Sequence, residues 1–103
     1  MKIEFKFRHV PQSEELTAYI VERISKLNKF EMKPVRFEFT FSSEKTAQRV
    51  DIHVRGQDIE MHAHASGDNF FSASDDALDR IARQLSRKKA KVQDHKGPTI
   101  KVS

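Results

Sequence analysis

The chain has 103 residues, of which 37% are hydrophobic and 33% charged, a size that fits one domain with a modest core. It contains no cysteine, which excludes disulfides, cysteine-ligated metals and thiol chemistry, and no apolar run reaches the roughly 20 residues that a membrane span needs. The first residues lack the apolar centre of a signal peptide, so we expect a cytoplasmic protein that does not bind membranes.

Charge is distributed unevenly along the chain. Residues 1–79 hold 11 Lys and Arg against 14 Asp and Glu, whereas residues 80–103 hold 8 basic residues against one acid. The net charge of +4 therefore combines a slightly acidic body with a strongly cationic C-terminal segment. Such a segment favours a polyanionic partner, although a solvated tail explains the charge alone about as well.

The polarity pattern predicts six elements in the order β-α-β-β-β-α. A strand with alternating Ile3, Phe5 and Phe7 comes first, followed by a helix that Ser13 caps and whose apolar spacing continues to Leu27. Three alternating segments follow at residues 35–41, 49–55 and 59–66, separated by a polar loop at 42–48 and a turn at 56–58. A long helix is predicted over residues 69–93, with Phe71 in its apolar stripe, before Gly97-Pro98 prevents continuation.

The connections between these elements predict an α+β, two-layer sandwich. The three later strands should form an antiparallel meander, and the helical crossover should place the first strand parallel to its neighbour in a four-stranded sheet. The strand phenylalanines share the apolar register, so both helices should cover that one face and leave the other face open. The open face carries no Phe, Tyr or Trp, which argues against base stacking. Residues 1–96 form the predicted domain, and residues 97–103 form a short tail.

One side of the last helix is predicted to carry a ridge of basic residues nearly opposite its apolar stripe. The ridge consists of Arg80, Arg83, Arg87 and Lys91. The helix dipole explains basic residues in the last turn only, whereas this ridge spans three turns without an acid. We therefore favour phosphate-backbone binding over a solvated helix face. Arg23 and Lys26 would broaden the ridge if the two helices pack side by side.

Two other clusters allow alternative chemistry. His53, His62 and His64 lie on neighbouring strands and would bind zinc if their nitrogens converged, but side chains on a flat face splay apart, so we expect no metal. Three aspartates in the last helix would suit acid–base work or Mg²⁺. Ordinary i,i+4 pairing, Asp76 with Arg80 and Asp79 with Arg83, explains them better. No catalytic motif occurs, so we expect a protein that is not an enzyme and has no cofactor.

The C-terminal part of the chain resembles the signature helix of the ribosome hibernation-promoting factor family, which includes the ribosome-associated inhibitor A proteins. The similar residues are Asp68-Asn69-Phe70-Phe71-Ser72-Ala73, Asp75 and the segment 78–91, which contains Arg83-Gln84-Leu85. The first helix (Ser13-Glu14, Leu16 and residues 23–27) and the strand segments Ile52-His53-Val54 and His62-Ala63 are similar as well. The resemblance covers about residues 2–96.

This resemblance implies a fold similar to double-stranded RNA-binding domains. It implies a translation inhibitor that binds rRNA of the small ribosomal subunit, in the channel of mRNA and tRNA, in stressed or stationary cells. The implied rRNA-binding residues are Arg23, Lys26, Arg80, Arg83, Arg87, Lys88, Lys89 and Lys91. A small-molecule substrate is not expected, and the free protein should be a monomer.

The sequence departs from the family pattern in three ways. Phe71 stands where the family usually has tyrosine, and the hairpin around Gly56 is slightly longer than is common. We expect neither a second domain nor an acidic tail, so the chain resembles the short form, which is associated with pairing of ribosomes into inactive dimers. Two alternatives stay open: a double-stranded RNA-binding module not tied to the ribosome, and a metal-binding protein that uses the three histidines.

Overall fold

The computed structural model describes residues 2–26, 35–57 and 59–96, with side chains described as far as residue 87. Its elements are β1 (Lys2–Phe7), α1 (Glu14–Ser25), β2 (Val35–Glu44), β3 (Ala47–Gly56), β4 (Glu60–Gly67) and α2 (Phe70–Lys96). The order β-α-β-β-β-α is the one that the polarity pattern predicts. The tail at 97–103 lies outside the described residues, as does Leu27.

The four strands form one sheet in the order β1-β2-β3-β4. β1 pairs parallel with β2, and the two following pairs are antiparallel. The predicted crossover and meander are both confirmed. A parallel pair needs a long connection, and α1 lies within it.

The core lies between one face of the sheet and the two helices. Phe37, Phe39 and Phe41 of β2 are buried, and Phe39 stacks on Phe5 of the neighbouring strand with 5.4 Å between ring centroids. α1 contributes three buried aliphatic residues and α2 contributes five buried aliphatic and alanine residues. These are Leu16, Ile20 and Ile24, and Ala73, Ala77, Leu78, Ile81 and Leu85. Both helices therefore cover the phenylalanine face, as predicted.

The polar segment at 42–48 is mostly strand, and its prediction as a loop is wrong. β2 continues to Glu44, β3 begins at Ala47, and Ser42 pairs with Arg49. Only two residues form the turn, of which Lys45 adopts a φ of 52° in the left-handed region. Ser43 and Glu44 are exposed. Because this end of the hairpin buries little, it lacks the apolar alternation by which strands are recognised.

The start of α2 differs from the prediction in which phenylalanine enters the core. Asn69 caps the helix by accepting a hydrogen bond from the Ser72 N–H at 2.9 Å. Phe70 then packs against the core, with its ring 5.4 Å from that of Phe41. Phe71, predicted in the apolar stripe, is 38% exposed, because it lies one position out of register with the buried residues that begin at Ala73.

Candidate nucleic-acid interface

The predicted basic ridge lies on the solvent side of α2. Arg80, Arg83 and Arg87 are all exposed. Leu78, Ile81 and Leu85, on the opposite side of the helix, are at most 5% exposed. The core contacts of α2 therefore fix the direction in which the three guanidinium groups point, toward any partner that meets the helix from outside.

The ridge keeps its positive charge. Among the residues whose side chains are described, no carboxylate lies within 4.0 Å of the Arg80, Arg83 or Arg87 guanidinium. The expected i,i+4 pairs from Asp76 and Asp79 to the ridge are not formed. Asp79 instead lies 3.8 Å from Arg23 of α1, because that carboxylate is on the side of α2 that faces α1. The three ridge arginines thus remain available to an external anion.

A shallow groove runs along α2 beside the ridge. It is lined by Asp79, Ala82, Arg83, Ser86 and Arg87. The two arginines lie one helical turn apart, and the small side chains between them leave space for a sugar–phosphate backbone to approach the helix. Planar guanidinium groups bind phosphate oxygens in pairs, so this geometry suits a chain of phosphates.

A polar cluster, which we call the interhelical cluster, joins α1 to α2 beside the ridge. It consists of Tyr19 and Arg23 on α1, and Asp75 and Asp79 on α2. The Tyr19 hydroxyl lies 2.8 and 2.9 Å from the two carboxylate oxygens of Asp75, to which it donates. Arg23 Nε lies 3.2 Å from Asp75 Oδ1. The hydrogen bond to Asp75 raises the pKa of the Tyr19 phenol, and burial raises it further.

The remaining sequence-predicted binding residues fall in three places. Arg23 lies in the interhelical cluster and not on the ridge. Lys26 is exposed at the C-terminal cap of α1. Lys88, Lys89 and Lys91 belong to α2, but their side chains lie outside the described part of the structure. The structure therefore brings α1 beside α2, which was the condition for a broader ridge, and gives Arg23 partners that the sequence did not reveal.

The open face of the sheet has a different electrostatic character from the ridge. Arg36 donates to Glu4 at 2.9 Å, and Arg49 donates to Asp51 at 2.9 and 3.0 Å. These hydrogen bonds hold the pKa values of both carboxyl groups below their usual range. Because these acidic and basic groups neutralise one another, this face suits a polyanion less well than α2 does.

The three histidines lie close together on the open face. His53 and His62 are cross-strand partners with ring centroids 5.9 Å apart, and His64 lies 6.3 Å from His62. His53 Nε2 is 2.8 Å from a Glu60 carboxylate oxygen. Within the described ranges, no group of three or more His, Asp or Glu side chains converges as metal ligands would. That the protein binds no metal stays a prediction.

Most of the chain matches a known family. A profile of the family described as "Sigma 54 modulation protein / S30EA ribosomal protein" matches residues 3–93. The chain belongs to this family. The ribosome hibernation promoting factor of Klebsiella oxytoca is 29% identical to this S30EA chain over 97 residues, which cover 92% of the chain and 100% of that protein. The ribosome hibernation promotion factor of Mycobacterium tuberculosis is 27% identical over 108 residues, which cover 99% of the chain but 49% of that protein.

Two solved structures share the fold of the S30EA chain. The N-terminal domain of Thermus thermophilus Protein Y superimposes with a TM-score of 0.77 at 18% identity, covering 84% of this chain and 98% of that one. A ribosomal subunit interface protein from Coxiella burnetii gives a TM-score of 0.74 at 23% identity, covering 87% and 99%. Both confirm the α+β architecture. In the part of the chain that the structure describes, no helix is long and apolar enough to cross a membrane.

Proposed function

We propose that this chain is a ribosome hibernation factor that binds rRNA of the small ribosomal subunit and inhibits translation. The observation that carries the proposal is the exposed ridge of Arg80, Arg83 and Arg87, which no described carboxylate neutralises. Membership of the S30EA family and the names of the relatives support the ribosome as the partner that this ridge binds.

The ridge would bind rRNA mainly through its phosphates. Arg80 to Arg87 extends over about 10 Å of helix axis, enough to reach more than one phosphate. Each phosphate that an arginine neutralises releases condensed counterions, so binding should weaken steeply as salt increases. The sheet phenylalanines face the core, and base stacking therefore plays no part in the proposal. Recognition then depends on charge and shape.

The other basic residues extend this surface in the proposal. Lys26 contributes from α1, and Lys88, Lys89 and Lys91 continue the basic run along α2. With the ridge bound to rRNA, the body of the domain would exclude mRNA and tRNA from their channel by steric overlap. Such a protein needs no cofactor, substrate or catalytic group. Promotion of inactive ribosome dimers, implied by the likeness to the short form, belongs to the same proposal.

Binding to purified small subunits at several salt concentrations tests the ridge. The double variant Arg83→Gln/Arg87→Gln should weaken binding, and should flatten the slope of log affinity against log salt by somewhat less than about one unit for each lost contact. Glutamine is a good helix former and both positions are exposed, so stability should change little. Glutamate at the same positions should weaken binding further.

The matched control is Arg8→Gln/Arg55→Gln, which removes the same charge and the same residue type. Both arginines are exposed, and neither lies within 4.0 Å of a described carboxylate. If ridge and control variants lose equal affinity, only net charge matters and the ridge assignment is wrong. If free duplex RNA binds as tightly as the subunit, the chain is an RNA-binding module not tied to the ribosome.

A further inference from the structure

We infer that Arg23 serves the interface as a positioning residue, which holds α1 against α2 through Asp75, Asp79 and Tyr19, and that it does not contact rRNA phosphate itself. This inference rests on the proposed function. It separates Arg23 from the ridge arginines, with which basic composition alone would group it.

The surroundings of Arg23 already contain two anions. Its Nε lies 3.2 Å from Asp75 and one of its terminal nitrogens lies 3.8 Å from Asp79. Its side chain is 35% exposed, whereas the residues of the ridge, Arg80, Arg83 and Arg87, are exposed. A phosphate that approached Arg23 would meet both carboxylates at short range, and like charges repel. Direct phosphate binding is therefore unfavourable here, whereas no described carboxylate lies within 4.0 Å of a ridge guanidinium.

The interhelical cluster is well placed to set the position of α1. In the described part of the structure, every polar side-chain contact between α1 and α2 belongs to it. Tyr19 and Arg23 lie one turn apart on α1 and reach the same carboxylate, Asp75. The rings of Phe71 and Tyr19 pack edge to face with 5.3 Å between centroids. A hydrogen bond from Tyr19 and an ion pair from Arg23 thus meet at one carboxylate, which fixes both the distance between the helices and the rotation of α1.

The position of α1 matters because it determines where Lys26 lies. Lys26 caps α1, and its backbone N–H is hydrogen-bonded to the carbonyl of Arg23. When Arg23 is held against Asp75, the position of Lys26 at the end of α1 is fixed relative to α2. Arg23 would therefore act on rRNA binding through Lys26 and the alignment of the two helices.

The decisive variant is Asp75→Asn, compared with Asp76→Asn on small-subunit binding. Asp76 is exposed and makes no described ion pair, so each variant removes one negative charge from the same turn of α2. Charge alone predicts that both bind the anionic subunit more tightly. If the cluster positions α1, Asp75→Asn should instead bind about threefold or more weakly, and Asp76→Asn should not. Tyr19→Phe, which changes no charge, should weaken binding in the same direction.

The salt slope separates positioning from phosphate contact. In a Lys26→Gln background, where the lysine contact is already absent, Arg23→Gln should leave the salt slope unchanged, whereas Arg83→Gln should lower affinity and flatten the slope. Arg23→Lys should restore part of the affinity, because an ammonium can still pair with Asp75. In that background, a slope for Arg23→Gln that flattens as much as that for Arg83→Gln would overturn the inference. The inference would also be overturned if the Asp75→Asn variant bound small subunits as tightly as the Asp76→Asn variant.

A spectroscopic measurement tests the cluster without the ribosome. Tyr19 is the one tyrosine of the chain, which has no tryptophan, so phenolate absorbance reports on this side chain alone. The titration midpoint should lie above that of the unfolded chain and should fall in Asp75→Asn; an unchanged midpoint in that variant overturns the inference. If the wild-type chain does not bind small subunits, the proposed function fails and the inference falls with it. If the wild type binds but the Asp75 and Tyr19 variants match it, only the inference fails.

Discussion

Gln84 of α2 donates a hydrogen bond from Nε2 to the main-chain carbonyl of His62, 3.1 Å away on β4. β4 is an edge strand, and the pairing of β3 with β4, in which the Gly56 N–H binds the Ile59 carbonyl, directs the His62 carbonyl away from β3. A helix side chain therefore satisfies one carbonyl of the open sheet edge. This contact links α2 to the sheet at the position next to Arg83.

Replacing Gln84 with Met should lower the free energy of unfolding by about 0.5–1.5 kcal/mol, the typical net contribution of one hydrogen bond. Methionine has similar size and helix propensity, so the change isolates the hydrogen bond. Urea unfolding followed by circular dichroism would measure it. Gln57→Met, in an exposed turn, is the control and should change stability little. Equal losses in both variants would show that the contact to His62 contributes nothing.

Phe39 is the centre of the aromatic core, and its truncation should be among the most damaging single changes. It is fully buried, and its ring stacks on Phe5 at 5.4 Å and on Phe41 at 6.2 Å. Phe39→Ala should lower the free energy of unfolding by about 3–5 kcal/mol, because it removes a large apolar group and leaves a cavity. Phe71→Ala, at a partly exposed ring, should cost clearly less in the same urea titration. A similar cost for both would contradict the core assigned here.

The fold could be predicted where burial imposes a period on the sequence. Phe37, Phe39 and Phe41 alternate with polar residues because one side of β2 faces the core, and that alternation gave both the strand and its orientation. The end of the same strand could not be predicted, since Ser43 and Glu44 are exposed and bury no regular face. The prediction that Phe71 lies in the apolar stripe was wrong for a similar reason. Two phenylalanines are adjacent at the start of α2, so the sequence does not show which of them faces the core.

In the candidate site, too, features set by neighbouring residues could be predicted, whereas contacts between residues far apart in the chain could not. The ridge of α2 follows from spacing within one helix, so the sequence predicts it directly. The hydrogen bond from Tyr19 to Asp75 joins residues 56 positions apart, and no local pattern encodes it. The sequence showed that α1 and α2 both carry charge. It did not show that Asp75 would pair with Arg23 across the helices, or that Asp79 would do so instead of pairing with Arg83 along α2.

The histidines of the open face should not be needed for folding or for ribosome binding. The side chains of His62 and His64 are exposed on the open face of the sheet, whereas the ridge lies on α2, which covers the other face. The double variant His62→Gln/His64→Gln should therefore match the wild type in urea unfolding and in small-subunit binding. Metal analysis after dialysis should find no bound zinc in either protein. Stoichiometric zinc in the wild type that is lost in the variant would contradict this prediction and favour the metal-binding alternative.

Acid should weaken the fold partly through Asp51. Two hydrogen bonds from Arg49, at 2.9 and 3.0 Å, lower the pKa of this carboxyl in the folded protein, against the opposite effect of burial. A carboxyl group whose folded pKa lies below its unfolded value binds fewer protons in the folded state. Its contribution to stability is therefore complete above the unfolded value, about 3.9 for aspartate, and is lost as the pH falls toward the folded value.

The variant Asp51→Asn tests this contribution when its unfolding is compared with that of the wild type at about pH 7 and about pH 3. The wild type should be the more stable protein at neutral pH, and the difference should shrink in acid, where the Asp51 carboxyl of the unfolded chain becomes protonated. Arg49→Gln should lose the same pH-dependent part of the free energy of unfolding, because it removes the donor of both hydrogen bonds. Combining Arg49→Gln with Asp51→Asn should destabilise the protein little more than either change alone. A difference between Asp51→Asn and wild type that stays constant over this range would mean that the Arg49 contact does not favour the ionised carboxylate.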